Sequence, residues 1–99
     1  MNLTEQHKEK LRTLCRKYRV KSLSVFGSVL RTDFNQDSDI DFIVDIDDSD
    51  PLSYSDQYFA LKSALEGLFG RSIDLLEERA LNNPVLRRKI HETQVLIYG

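Results

Sequence analysis

Between Ile40 and Ile46 the chain alternates strictly. Ile40, Phe42, Val44 and Ile46 fall on one side, while Asp39, Asp41 and Asp45, with Ile43 among them, fall on the other. A period of two belongs to a β-strand, so this stretch predicts a strand with one buried and one acidic face. "SLSVF", Ser22 to Phe26, is short, rich in β-formers and ends at Gly27. It predicts a strand feeding a tight turn. "SIDLL", Ser72 to Leu76, predicts a third strand.

Elsewhere the period is helical. Leu11, Leu14, Cys15 and Tyr18 form one stripe, predicting a first helix from an N-cap at Thr4 to Tyr18. Tyr58, Leu61, Leu65, Leu68 and Phe69 predict a second, from about Ser53 to Phe69, stopped by Gly70. Asn83 followed by Pro84 is an N-cap and N1 pair that opens a third. A helical turn or two is expected from Ser28 to Arg31, and "TDFNQDSD" and "DDSDPLS" read as loops. The final "VLIY" fits either a short strand or the last turn of the third helix. Alternating helix and strand predict a small two-layer α/β (α+β) domain, with helices on one sheet face and the other left open with its aspartates. Residues 1–99 form a single domain on this reading, without repeats or linkers.

Composition changes this picture little. Apolar residues make up 40% and charged ones 30%, as in ordinary globular proteins. No apolar run approaches the roughly 18 residues of a membrane span. "MNLTEQHKEK" lacks the apolar core of a signal peptide, and Cys15 is alone, so the cytoplasm is the expected compartment. The net charge of −2 is unevenly spread: seven of the fourteen basic residues lie in the first 21 positions, while the middle is acidic. The basic first helix reads as a solvated face. Overall acidity argues against tight, sequence-independent binding of nucleic acid.

The charge pattern of the middle raises a chemical question. Asp33, Asp37, Asp39, Asp41, Asp45 and Asp47 crowd around one strand, and no Lys or Arg occurs from Thr32 to Leu61. Carboxylates so close repel unless something positive sits among them, and a bound metal ion answers that need. Asp39 and Asp41 are i and i+2 on a strand, with Cα atoms roughly 6.5–7 Å apart on one face. Such a pair can grip one ion or bridge two about 3.5–4 Å apart. Hard oxygen ligands with no His or Cys nearby select Mg²⁺ or Mn²⁺ over zinc. Asp45 lies roughly 13 Å further on, too far to join them. With Asp47, Asp48 and Asp50 it reads as a solvated strand-end or loop residue.

Gly27 and Ser28 stand where a strand turns into a helix. Glycine lets backbone N–H groups approach an anion, and a helix start offers free donors. Alone this is a plain turn; beside two co-facial aspartates it becomes a phosphate cradle next to a metal site. Asp74 interrupts an apolar strand. It reads as a strand-edge charge, or as a metal ligand that also accepts the proton of an attacking hydroxyl. His7 and His91 lack ligand partners at useful spacing and read as surface residues.

Gly27-Ser28, ten intervening residues, then Asp39-Ile40-Asp41 resembles the motif of the DNA-polymerase-β-like nucleotidyltransferase superfamily. "FGSVLRTDF…DSDIDFIV", "GRSIDLL" and "NPVLRRKIHETQVLIYG" are similar to its minimal members, the MNT antitoxins, from about Val20 to Gly99. The resemblance implies a two-layer nucleotidyltransferase fold with a small mixed sheet. It implies that Gly27 and Ser28 hold the triphosphate of ATP, and that Asp39 and Asp41 bind two Mg²⁺. Asp74 would complete the ligand set and help activate the acceptor. Arg31 matches an arginine common in the motif, with either a phosphate contact or a surface role; many relatives have glycine next, where this chain has Thr32. Arg87 and Arg88 fall in the family's "NPxLR" stretch, either near phosphate or on a solvated helix face.

The implied reaction moves AMP from ATP to a hydroxyl, with pyrophosphate leaving. The implied acceptor is a tyrosine of a HEPN-type ribonuclease toxin, silenced by the modification. Tyr54 and Tyr58 line the second helix, and as exposed side chains one of them is a lesser candidate acceptor. Two rivals stand beside this reading. A non-catalytic antitoxin would neutralise its toxin by binding alone, but Gly27, Ser28 and all three carboxylates are intact. A nucleotidyltransferase acting on RNA or a small molecule would need a second binding surface that so short a chain scarcely offers.

Overall fold

Thr4 starts the first helix as its side chain predicts, its Oγ1 accepting the His7 N–H at 3.1 Å. The computed structural model describes residues 4–26 and 40–99. In order these form α1 (Glu5–Lys17), β1 (Val20–Phe26), β2 (Ile40–Ile46), α2 (Pro51–Phe69), β3 (Ile73–Glu77), α3 (Pro84–Thr93) and β4 (Val95–Tyr98), with a 3₁₀ turn at Glu78–Ala80. The expected turn from Ser28 to Arg31 and the loop after it lie outside the described residues.

The two long connections explain the sheet. Asp50 caps α2 by accepting the Leu52 N–H at 3.2 Å, and Pro51 takes a first-turn position where its missing N–H costs nothing. That helix therefore starts two residues before the predicted Ser53. It ends on Gly70, whose φ of 64° is left-handed, so that its N–H closes the helix on the Glu66 carbonyl. A helix between two strands returns the chain parallel to its start, and β3 pairs with β2 in parallel. β1 pairs antiparallel with both β2 and β4. Among the described residues the sheet has four strands in the order β3-β2-β1-β4, a mixed sheet of the expected class. "VLIY" resolves as the edge strand β4.

The alternation in β2 is realised. Ile40, Phe42, Val44 and Ile46 are buried against Leu11 and Cys15 of α1 and Leu61 and Leu65 of α2. Full burial of each such side chain is worth about 1.5–3 kcal/mol, so this single layer dominates stability. Burial also pushes the Cys15 thiol up to about 12, which leaves it protonated and inert at neutral pH. The opposite face is not wholly open. Ile43 is buried there with Leu81 and with Ile90 of α3, and Phe26 and Leu76 pack against them. An apolar residue on the polar face needs cover, and α3 supplies it.

One expectation fails in the β2–α2 connection. Asp48, read as solvated, is buried. Its carboxylate accepts the Ser53 hydroxyl at 2.5 Å, the Asp50 N–H at 3.0 Å and the Gln57 amide, with the Arg19 guanidinium at 3.9 Å. A carboxylate can leave water when its lone pairs find donors, and these hold its pKa down, the Ser53 hydroxyl first. Among the described residues no helix is long and apolar enough to cross a membrane.

Candidate active site

Two of the candidate residues, one on β2 and one on β3, come together at one end of the sheet. Asp41 is the second residue of β2; its register partner is Phe26 in β1 and Asp74 in β3. Adjacent strands lie roughly 4.8 Å apart, and in-register neighbours point to the same face. Asp41 and Asp74 are therefore side by side on the face opposite the main core. Asp41 is half-buried and Asp74 exposed.

Gly27, Ser28, Arg31 and Asp39 lie outside the described residues. Their neighbours in the chain do not. Phe26, after which Gly27 follows, is the β1 partner of Asp41, and Ile40, which Asp39 precedes, is the β3-side partner of Ile73. The Ile40 N–H also donates to the Ser72 carbonyl at 3.2 Å, tying the start of β2 to the segment after Gly70. That segment brings the half-buried Arg71 to the same end of the sheet. The sequence reading did not single out Arg71. Its signal was the absence of other Lys or Arg between Lys62 and Arg79, together with its position just ahead of β3.

The donor set suits a hard divalent cation. Two carboxylates share one face, one of them open to solvent, and no His or Cys stands beside either in the strands. Among the described residues no three His, Cys, Asp or Glu side chains gather into a metal-holding group. The third expected carboxylate, Asp39, is the one outside the described residues.

Other candidates are accounted for structurally. Asp45 pairs with Arg79 at 3.5 Å, and Arg79 also donates to the Ile46 carbonyl at 2.6 Å and lies 4.3 Å from the centre of the Tyr54 ring. Tyr54 donates its hydroxyl to Glu77 at 2.9 Å, and Tyr58 donates to the Leu75 carbonyl at 2.6 Å. Burial, then the Glu77 hydrogen bond and charge, push the Tyr54 phenol up to about 12; burial first and the Glu77 charge next raise Tyr58. Neither is the free, exposed hydroxyl that an acceptor requires. Arg87 pairs with Glu78 and Arg88 with Glu92, each at 3.1 Å, which places both on an ion-paired helix surface. His91 also reaches Glu78, at 3.0 Å, and His7 packs half-buried against Phe69 with ring centres 5.3 Å apart.

Comparison with known proteins agrees with this geometry. The model of the polymerase beta nucleotidyltransferase family matches residues 9–99. The protein adenylyltransferase MntA of Thermococcus cleftensis is 30% identical over 86 residues, which span 87% of this chain and 81% of the relative. A solved structure described provisionally as a minimal nucleotidyltransferase is 33% identical, covers 91% of this chain and 88% of its own, and superposes with a TM-score of 0.74. A tri-AMPylated HEPN toxin in complex with an MNT antitoxin, from Shewanella oneidensis, is similar at 23% identity, 93% and 69% coverage and a TM-score of 0.57, a likeness of fold. With residues 9–99 matched and Asp41 and Asp74 adjacent at the strand end, the chain belongs to the polymerase beta nucleotidyltransferase family, in the branch of its minimal members.

Proposed function

We propose that this chain, acting as a single cytoplasmic domain, transfers AMP from ATP to a tyrosine hydroxyl of a HEPN-type toxin and so serves as its antitoxin. The observation that carries this reading is the Asp41–Asp74 register pair, open to solvent on the Asp74 side. An acceptor presented by another protein can reach such a site. The name of the Thermococcus relative and the tri-AMPylated toxin in the Shewanella complex support the same reaction.

In this mechanism Gly27 and Ser28 hold the triphosphate through backbone N–H groups and the Ser28 hydroxyl. Arg31, and Arg71 at the same end of the sheet, add positive charge toward the phosphates. The acceptor oxygen attacks the α-phosphorus, the bond to the bridging oxygen breaks, and pyrophosphate leaves with that electron pair. Asp74 takes the acceptor's proton. Asp39 and Asp41, with Asp74, would hold two Mg²⁺, or Mn²⁺ in their place, which when bound neutralise charge on the attacking and leaving oxygens. Specificity for the acceptor comes from surface contacts with the partner protein.

The test uses a HEPN-type toxin purified with this chain, ATP and Mg²⁺, and reads the toxin's intact mass. The expected result is one or more added adenylyl groups and a toxin that stays inactive once the 99-residue chain is stripped away. With the chain far below the toxin's concentration, wild type should silence many toxin molecules and Asp41→Asn almost none. Equal, strictly one-to-one inhibition by both would establish a binding module instead.

A further inference from the structure

Three arginines in the C-terminal part of the chain are ion-paired. Arg79, Arg87 and Arg88 each have a carboxylate, at 3.5, 3.1 and 3.1 Å. On α1, Lys8 pairs with Glu5 at 3.7 Å, but Lys10, Arg12 and Arg16 have no carboxylate within ion-pair distance among the described residues. A protein of net charge −2 thus carries cations without a carboxylate on α1, two of which, Lys10 and Arg16, stand with Leu14 on the face beside α2.

That face borders a groove. Leu14 of α1 with Ala64 and Leu68 of α2 form its apolar floor, Lys10 and Arg16 stand on its rim beside one carboxylate, Glu9, and its volume is about 450 Å³. The small side chain of Ala64 leaves room for it on the α2 side. Arg16 also lines a second cleft of about 290 Å³, past the end of α1, with Lys21, the Asp47 carboxylate and Arg19, which lies 3.9 Å from Asp48. The apolar floor therefore lies beside a cleft in which cations outnumber carboxylates, with Arg16 common to both.

We propose that the α1–α2 groove docks an acidic amphipathic helix of the protein partner. The helix would place apolar side chains between Leu14 and Leu68 and its carboxylates on Lys10, Arg16 and the Arg19–Lys21 cleft. A groove between two packed helices accepts a third by the same interlocking of ridges, and apolar anchors with arginine at the rim are the usual make-up of such an interface. Charge complementarity selects an acidic occupant. A second copy of the chain is disfavoured as a symmetric occupant, because a twofold contact here would bring two cation-rich rims together. RNA is disfavoured by a floor of Leu and Ala that offers no aromatic platform for bases. The proposal rests on the reading that the chain acts on a protein, but not on catalysis, since the groove lies across the sheet from Asp41 and Asp74.

The probe is a synthetic helix of about five turns, roughly 18 residues, with leucines at i, i+3, i+4 and i+7 flanked by glutamates. A second peptide has lysines in place of the glutamates. Both are titrated into the full chain, with binding read by fluorescence anisotropy and by amide chemical shifts. The acidic peptide should bind about tenfold more tightly or better than the basic one, with shifts centred on Leu14, Arg16, Ala64 and Leu68. Arg16→Glu, an exposed position, should weaken it about tenfold and leave ATP binding unchanged. Ala64→Phe, which fills the groove, should do the same without a change of charge. No preference for the acidic peptide, shifts centred elsewhere, or tighter Arg16-dependent binding of oligo-uridine or anionic vesicles would overturn the proposal. The two readings also separate. If wild type and Arg16→Glu modify a toxin equally at limiting concentration, docking fails and transfer stands; if the peptide docks but no toxin gains mass, transfer fails and docking stands.

Discussion

Asp41 and Asp74 are register partners on the parallel strands β2 and β3, and share a sheet face at the end where β1 finishes on Phe26. Nothing in apolar packing rewards that arrangement. Two neighbouring carboxylates repel, and a strand prefers β-branched or aromatic residues at such positions. The placement suits the cation-binding role proposed for the pair.

Substituting either member should therefore separate activity from stability. Asp41→Asn and Asp74→Asn are each expected to lower AMP transfer by about 10²-fold or more, with the circular dichroism spectrum unchanged. For Asp74→Asn, at an exposed position, the melting temperature of the metal-free protein should be unchanged or slightly higher. EDTA should abolish turnover and added Mg²⁺ or Mn²⁺ restore it. Full wild-type turnover in metal-free buffer would rule out the metal site.

The phosphate cradle proposed at Gly27 and Ser28 predicts graded losses. Ser28→Ala removes one hydroxyl and leaves backbone donors in place, so KM for ATP should rise roughly tenfold while turnover persists. Gly27→Val should cost more, because a branched side chain obstructs both the turn and the approach of phosphate. Steady-state kinetics with varied ATP distinguishes them; unchanged kinetics in both would place the cradle elsewhere.

Asp48 makes a prediction about acid. Its carboxyl is held below the ordinary 3.8 in the folded protein, mainly by the Ser53 hydroxyl and the Asp50 N–H. A group with a depressed folded pKa adds stability that is present above its unfolded value and is lost as pH falls through the folded one. Wild type should thus lose stability on descending below pH 3.8, while Asp48→Asn should be less stable at neutral pH and less sensitive in that acid range. Thermal melts across the acid range measure both. Ser53→Ala should fall between them.

Tyr54 gives the opposite sign at high pH. Its phenol is raised from 10.0 to about 12 by burial and by Glu77. That contribution is fully present below the unfolded value and disappears as pH climbs through the folded one. Tyr54→Phe should lose about 0.5–1.5 kcal/mol with the hydroxyl's hydrogen bond and show a flatter decline in that alkaline window. Incubated alone with ATP and Mg²⁺, the wild-type chain should gain no adenylyl group on Tyr54.

Local patterns were legible in the chain itself. The period of β2, the apolar stripes of α1 and α2, and the caps at Thr4, Gly70 and Asn83 all depend on residues within a few positions of one another. So does the Gly-Ser and Asp-x-Asp spacing that signals the family. Pairings between distant segments were not legible in this way. Asp74 is a lone charge in an apolar strand until the crossover through α2 lays β3 beside β2 and sets it against Asp41. "VLIY" is a strand because the unpaired edge of β1 accepts it, a choice its four residues do not encode. Asp48 looks solvated by composition and is buried because Ser53 and Gln57, one helical turn apart, both turn donors onto it. Periodicity tells a side chain which way to face on its own element; only the packing of elements, driven by the apolar area they can bury together, decides what it faces.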